Sequence, residues 1–203
     1  GERGSVKIRQ PQRGMYRDFV EMALKNVKQA LSDRQKLKTA EQQENKTALE
    51  KLSEAAGLGK ILNRIEAYDI SNIQGTNSVG SMVVFENGAR KNSEYRYFKI
   101  KTVTRQDDYA STAEVITRRF KNYAEGNDKF NILPDAVFAD GGYGHTLAVE
   151  KALSSLNIHV PVFGMVKDAH HRTKSLITSD GEIIELEPEA FALVTEIQNE
   201  VHR

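Results

Sequence analysis

Ala136-Val137-Phe138-Ala139-Asp140-Gly141-Gly142-Tyr143-Gly144-His145 is the stretch on which the fold turns. An apolar run follows Pro134, ends in a carboxylate, and gives way at once to glycines. A run of this length with these boundaries reads as a buried strand. Asp140 then stands at the strand's C-terminal end, where open α/β sheets bind their ligands. The glycines let backbone approach whatever Asp140 holds. A second carboxylate, Asp69, closes another strand-like run from Arg64 to Ile70, and His202 lies near the end of the last helical segment.

Working outward, Ile65, Ala67 and Asp69 point to one side of their strand, and Tyr68 and Ile70 to the other. Val79 to Phe85 forms a second strand. Asn87-Gly88, a strong hairpin signal, leads into a third, from Tyr95 to Val103. Tyr95, Tyr97 and Phe98 are expected to be strand packing. Asp107-Asp108 offers a helix N-cap, and Ala113, Ile116, Thr117 and Phe120 carry that helix inward, with Arg118 and Arg119 flanking. The opening stretch is the fourth strand, and Leu147 to Leu156 the helix after it. Val160 to Val166 is a fifth strand, a small hairpin turns at Asp180-Gly181, and Pro188 opens the last helix. Ahead of all this, Phe19 to Leu31 recur at helical spacing. Thr39 and Gln42 resemble a capping box, which predicts a second helix ending before Gly57.

The order β-β-β-α-β-α-β, then a hairpin and a helix, describes an α/β chain of the ribonuclease H-like fold. That fold is a mixed five-stranded sheet flanked by helices, here preceded by an N-terminal helical segment. We place the boundary so that residues 1–59 form a basic helical connector and residues 60–203 the folded domain. In such a sheet the first and fourth strands lie side by side and parallel, about 4.8 Å apart. Asp69 and Asp140 then project into one space.

Composition narrows the chemistry. The 203 residues leave room for one domain and an appendage. The chain has no cysteine, which excludes disulfides, thiolate zinc sites and cysteine nucleophiles. No apolar run is long enough to span a membrane and no signal-peptide pattern opens the chain, so a cytoplasmic location without membrane contact is expected. Net charge is only +1, yet residues 1–40 hold ten Lys/Arg against four Asp/Glu. A basic segment beside a near-neutral body fits a polyanion partner; a solvated helix face would carry the same charge.

Six segments together resemble the C-terminal endonuclease half of the UvrC family, which incises DNA in bacterial nucleotide excision repair. They are residues 65–75 (IEAYDISNIQG), 95–100 (YRYFKI), 107–109 (DDY), 140–145 (DGGYGH), 167–173 (KDAHHRT) and 199–203 (NEVHR). The resemblance implies an Asp-Asp-His site of Asp69, Asp140 and His202. Asn72 stands where many members have histidine, and His145 where many have glutamine; both are carried as further candidates. The resemblance also implies damaged double-stranded DNA as substrate and UvrB as partner, with UvrA acting earlier. Other modules are expected on either side, so the sequence is expected to be a piece of a longer protein.

The chemistry is consistent with that implication. Phosphodiester hydrolysis needs a water nucleophile and neutralisation of phosphate charge, and hard oxygen ligands hold Mg²⁺ or Mn²⁺ for both purposes. Asp69 and Asp140 supply two carboxylates from rigid strands; the family match carries the assignment of His202 as ligand or general base. Lys167, His171, Arg172 and Lys174 follow the fifth strand on the same side of the sheet. They suit phosphate contacts that position DNA without reading bases, though a solvated charge run would look the same. The rival class is a catalytically silent scaffold that binds DNA or a partner through the same fold. A resolvase-like nuclease would instead use a third acid in the last helix, Glu196 or Glu200.

Overall fold

A computed structural model describes residues 11–73, 77–103, 107–167 and 173–203, with backbone alone at 72, 73, 77, 173 and 174. The chain divides into two compact units, residues 1–41 and 42–203. One helix, α1 (Met15–Ala55), runs through the boundary. The expected break at Thr39 is absent because the Thr39 hydroxyl donates to the Gln35 carbonyl (2.9 Å). It thus bonds within the helix and caps nothing. In the first unit the apolar residues Phe19, Leu24, Val27 and Leu31 are exposed.

In the second unit, α1 contributes Ala48, Leu49 and Leu52 to a core. It ends where Gly57, at φ 64°, lets the Leu58 amide donate to the Ser53 carbonyl (2.9 Å). The sheet follows: β1 (Arg64–Ile73), β2 (Asn77–Glu86), β3 (Ala89–Arg90), β4 (Arg96–Lys99), β5 (Ala136–Asp140), β6 (Val162–Lys167), β7 (Thr173–Thr178) and β8 (Ile183–Ile184). Three helices join them: α2 (Asp108–Ala124), α3 (Tyr143–Ser155) and α4 (Pro188–His202). The strand order is β3-β2-β1-β5-β6-β7-β8, with β4 also on β2. β1, β5 and β6 are parallel, and the other pairings are antiparallel. This is the expected ribonuclease H-like core with its sheet enlarged to eight strands. The hairpin after β6 joins the sheet edge, the expected third strand from Tyr95 to Val103 is shortened to β4, and β3 is an additional two-residue strand directly after the Asn87-Gly88 turn. Among the described residues no helix is long and apolar enough to cross a membrane.

Two apolar layers sandwich the sheet. Ile65, Ala67, Val83, Phe85, Ala136 and Phe138 face α1 and α4. Tyr68, Met82, Val84, Val137 and Ala139 face Val115 and Phe120 of α2 and Val149 and Leu153 of α3. β5 is buried on both faces, as a central parallel strand must be. Local signals agree with the fold: Asn87 and Gly88 both take positive φ (52° and 76°), as a two-residue hairpin turn requires, and Asp107 caps α2 by accepting from the Ala110 amide (2.9 Å).

Two polar devices hold β1. Glu66, fully buried, accepts from Arg119 Nε (3.0 Å) and Nη2 (2.7 Å), Arg64 Nη2 (3.0 Å) and the Tyr68 hydroxyl (2.7 Å). Arg119 is therefore a core residue and not a flanking cation, because an ionised Glu66 inside the sheet requires a paired charge. Burial first, then the Glu66 charge, hold the Tyr68 phenol well above its ordinary range. At the very start of the strand, Asp135 accepts from the amides of Asn63 and Arg64 and from Lys60, tying the start of β1 to the start of β5.

Arg119→Met leaves Glu66 buried without its principal partner and is expected to cost about 3–5 kcal/mol in urea unfolding; a loss under about 1 kcal/mol would refute the pairing's role. Asp135→Ala is expected to cost about 2 kcal/mol at neutral pH. Burial pushes the Asp135 carboxyl up, but Lys60 and the two amides outweigh it and hold it below the usual carboxylate range. Its contribution is thus complete above the ordinary Asp value of about 3.9 and is lost as pH falls through the lower folded value. Wild-type and variant urea midpoints should draw together below about pH 4; a constant gap would show that the charge is not responsible.

Candidate active site

Asp69 leaves β1 on the face that Ile65 and Ala67 bury, and Asp140 ends β5 on the face of Ala136 and Phe138. Tyr68 pairs with Ala139, so the two aspartates come next on adjacent parallel strands. No loop is needed to bring them together. α4 crosses this face with Val194, Ile197 and Val201 buried beneath it, which seats its last turn over the strand ends. Ser81 Oγ donates to the Val201 carbonyl (3.2 Å), satisfying one of the carbonyls a helix end leaves open. Arg90 bridges Glu196 (2.9 Å) and Glu200 (3.0 Å) of the same helix.

His202 arrives by this route. Its Nε2 lies 3.2 Å from Asp140 Oδ2 and its Nδ1 3.8 Å from Asp69 Oδ2. One ligand atom from each of Asp69, Asp140 and His202 lies within 4.8 Å of the others, the sole such group among the described residues. Bonds of about 2.0–2.1 Å put the ligands of an octahedral Mg²⁺ within about 4.2 Å of one another. A few tenths of an ångström of side-chain movement closes the difference, and two carboxylates with an imidazole match a hard divalent ion. The residues therefore fit such an ion.

The surroundings complete the electrostatics. Lys167 Nζ is 3.1 Å from Asp140 Oδ2 and 2.8 Å from His202 Nε2. An ammonium only donates, so this contact is a hydrogen bond in the tautomer whose Nε2 carries no proton, while a protonated Nε2 would donate to Asp140 Oδ2 instead. Gln198 Nε2 donates to Asp140 Oδ1 (2.7 Å), and Ser71 Oγ donates to Asp69 Oδ2 (2.9 Å). Gln198 lies one helical turn before His202, the spacing that puts both on one face of α4. That spacing is the signal by which sequence reading could have assigned it a role.

Of the other sequence candidates, Lys167 sits inside the cluster itself. His171 and Arg172 lie outside the described residues, as do the side chains of Lys174 and Asn72. His145 does not join the cluster. Its ring packs edge-on to Tyr109 (4.8 Å between centroids), with Nδ1 3.4 Å from Thr112 Oγ1. It lies over Gly141, whose φ of 140° and lack of a Cβ make room for the ring. Glu196 and Glu200, the acids of the resolvase-like alternative, are occupied by Arg90. Tyr97 is not strand packing: it is 78% exposed.

A family model, UvrC RNAse H endonuclease domain, matches residues 53–203. The chain belongs to this family. It is 45% identical to UvrABC system protein C of Alkaliphilus oremlandii (strain OhILAs) and 43% to that of Clostridium acetobutylicum, each match covering the whole chain and 35% of the relative. The chain thus spans about a third of the length of the curated relatives it matches. Among solved structures, human ENDOV is 9% identical at a TM-score of 0.36, covering 70% of this chain and 85% of its own. An endonuclease V from Ciona intestinalis bound to DNA scores 0.40 at 9% identity, covering 67% and 76%. In the UvrC domain, then, Asp69, Asp140 and His202 meet on one sheet face around Lys167.

Gln198→Leu is expected to weaken Mn²⁺ binding about ten- to a hundredfold in calorimetric titration, since Asp140 loses the group that orients it. Unchanged affinity would show that Gln198 only packs.

Proposed function

We propose that this domain hydrolyses a DNA phosphodiester with a divalent ion, Mg²⁺ or Mn²⁺, held by Asp69, Asp140 and His202. In the full-length protein this is the cut 5′ of a lesion in damaged double-stranded DNA, made with UvrB after UvrA has acted. Residues 1–59 serve as a basic connector and residues 60–203 as the nuclease domain. The observation that carries the reading is the convergence of two carboxylates from adjacent strands and an imidazole within 4.8 Å in a chain of an endonuclease family.

A bound ion supplies a water of lowered pKa and a Lewis-acid contact to phosphate oxygen. The chain's own residues do the remaining work. Asp69 and Asp140 bring their charge from hydrogen-bonded strands, so the site is preorganised. Ser71 and Gln198 each donate to one oxygen and fix the carboxylate planes. His202 Nε2 is placed to ligate, or to accept the proton released by the attacking water. Lys167 adds positive charge beside Asp140, where the phosphate's charge must be offset. Lys167, with His171, Arg172 and Lys174, would guide the DNA backbone without reading its bases.

The test is incision by the full-length protein carrying Asp140→Asn, with UvrA and UvrB, on a duplex bearing one lesion and labelled at each end in separate reactions. The 5′ cut should fall at least about a hundredfold while the 3′ cut persists. Retention of both cuts would make the domain a silent scaffold.

A further inference from the structure

Tyr97 and the groove beside it have no part in the assignment above, and they lie on the same sheet face as the metal-binding cluster. Asp69 pairs with Ser81 in β2, and Ser81 pairs with Tyr97 in β4. Asp69, Ser81 and Tyr97 therefore form one row across three adjacent strands. Two strand spacings put Tyr97 about 10 Å from Asp69. Between them runs a groove of about 400 Å³, walled by Ser81, Tyr95 and Tyr97 on the sheet side and by Val201 and His202 of α4's last turn and Arg203 after it. That volume lies within the range of small-ligand clefts, roughly 300–1,000 Å³.

The lining suits a nucleotide. Tyr97 offers an exposed π-face on a strand that, among the described residues, pairs only with β2. Lys99, two residues on along the same face of β4, is exposed, and Arg203 is largely exposed at the opposite wall. An aromatic platform flanked by cations is how single-stranded nucleic acid is held irrespective of sequence. Tyr95 lies deeper: burial first, then the Glu200 carboxylate, push its phenol up to about 12, so it remains a hydroxyl, a donor, at any working pH. Its alternate neighbour Phe98 turns to the opposite face and packs in the α2 layer, so Tyr97 is not needed for the core.

We propose that this groove is a subsite for the nucleotide adjoining the scissile phosphate, with its base unstacked from the duplex and laid on the Tyr97 ring. The proposal rests on the nuclease reading above and specifies the form of its substrate: a strand locally unpaired beside the cut. A phosphate held at Asp69 and Asp140 and a base at Tyr97 are one to two nucleotides apart, because successive residues of an extended strand cover several ångströms each.

The test uses the full-length protein with UvrA and UvrB on a lesion duplex carrying 2-aminopurine, moved one position at a time across the 5′ cut, in Ca²⁺ to suppress cutting. Wild type and Tyr97→Phe should quench the fluorophore at one position beside the cut, and Tyr97→Ala should not. In Mg²⁺, Tyr97→Ala should raise KM about tenfold, with the larger part of the loss in KM and not in kcat. Quenching that is unchanged in Tyr97→Ala overturns the proposal, and so does a Tyr97→Ala defect confined to association with UvrB, which would make the groove a protein contact. Quenching needs no cleavage, so its loss or retention is read separately from whether Asp140→Asn still cuts.

Discussion

The parallel pairing of β1 with β5 sets two carboxylates side by side, and like charges at that distance repel. At about 5 Å and an effective dielectric of about 20 the cost is on the order of 3 kcal/mol. It would be relieved if the strands slipped or splayed, so the pair must be held by groups outside the site. Asp135 does this at the strands' starting ends by binding the first amides of β1. Glu66 does it from below, joining β1 to α2 through Arg119. Both devices lie on the strands that carry the aspartates, and neither touches the cluster. The buried Glu66–Arg119 pair and the half-buried Asp135 thus hold the strands that carry the two aspartates.

The same repulsion accounts for the groups around the aspartates. Lys167 contacts Asp140 and His202, while Gln198 and Ser71 donate to one oxygen on each carboxylate. Every one of these groups is a donor directed at negative charge. These donors offset part of the charge of the two carboxylates, and Asp69 and Asp140 against the Lys167 ammonium leave the cluster net negative. α4 must stay docked for the arrangement to persist, because it brings both Gln198 and His202. Its last turn is fastened by Ser81 and Arg90, and its first by Lys51 bridging Glu187 and Glu189.

Much of this was legible in the sequence, because the strongest local signals coincide with the elements that set the site. The apolar run into Asp140, the Asn87-Gly88 turn and the Asp107 cap mark strand and helix ends directly, while the alternation from Ile65 to Ile70 marks β1 but not its end, which lies at Ile73. What escaped reading depends on tertiary environment. Thr39 looks like a cap, but its hydroxyl has a backbone acceptor one turn back and the helix continues. Arg119 reads as a surface cation until a fully buried Glu66 gives it a partner 53 residues away in sequence. Ser175 to Thr178 is too short to announce that it will extend the sheet, and does so only because β6 leaves an unpaired edge. Lys167 reads as one member of a basic run; only the tertiary structure shows that it ends among the carboxylates.

Tyr97 is the opposite case, a residue whose local setting suggests packing and whose tertiary setting denies it. Alternation along β4 buries Phe98 against α2 and leaves Tyr95 and Tyr97 facing the other side, the first half-buried and the second exposed. Tyr95 is half covered by the last turn of α4. Tyr97 is left to water on an edge strand, where an exposed aromatic adds an association hazard and little stability. Residues that depart from what folding alone would favour are expected at functional sites, and this one stands in register with Ser81 and Asp69. The simplest account of an uncovered ring in that row is that its cover is the substrate.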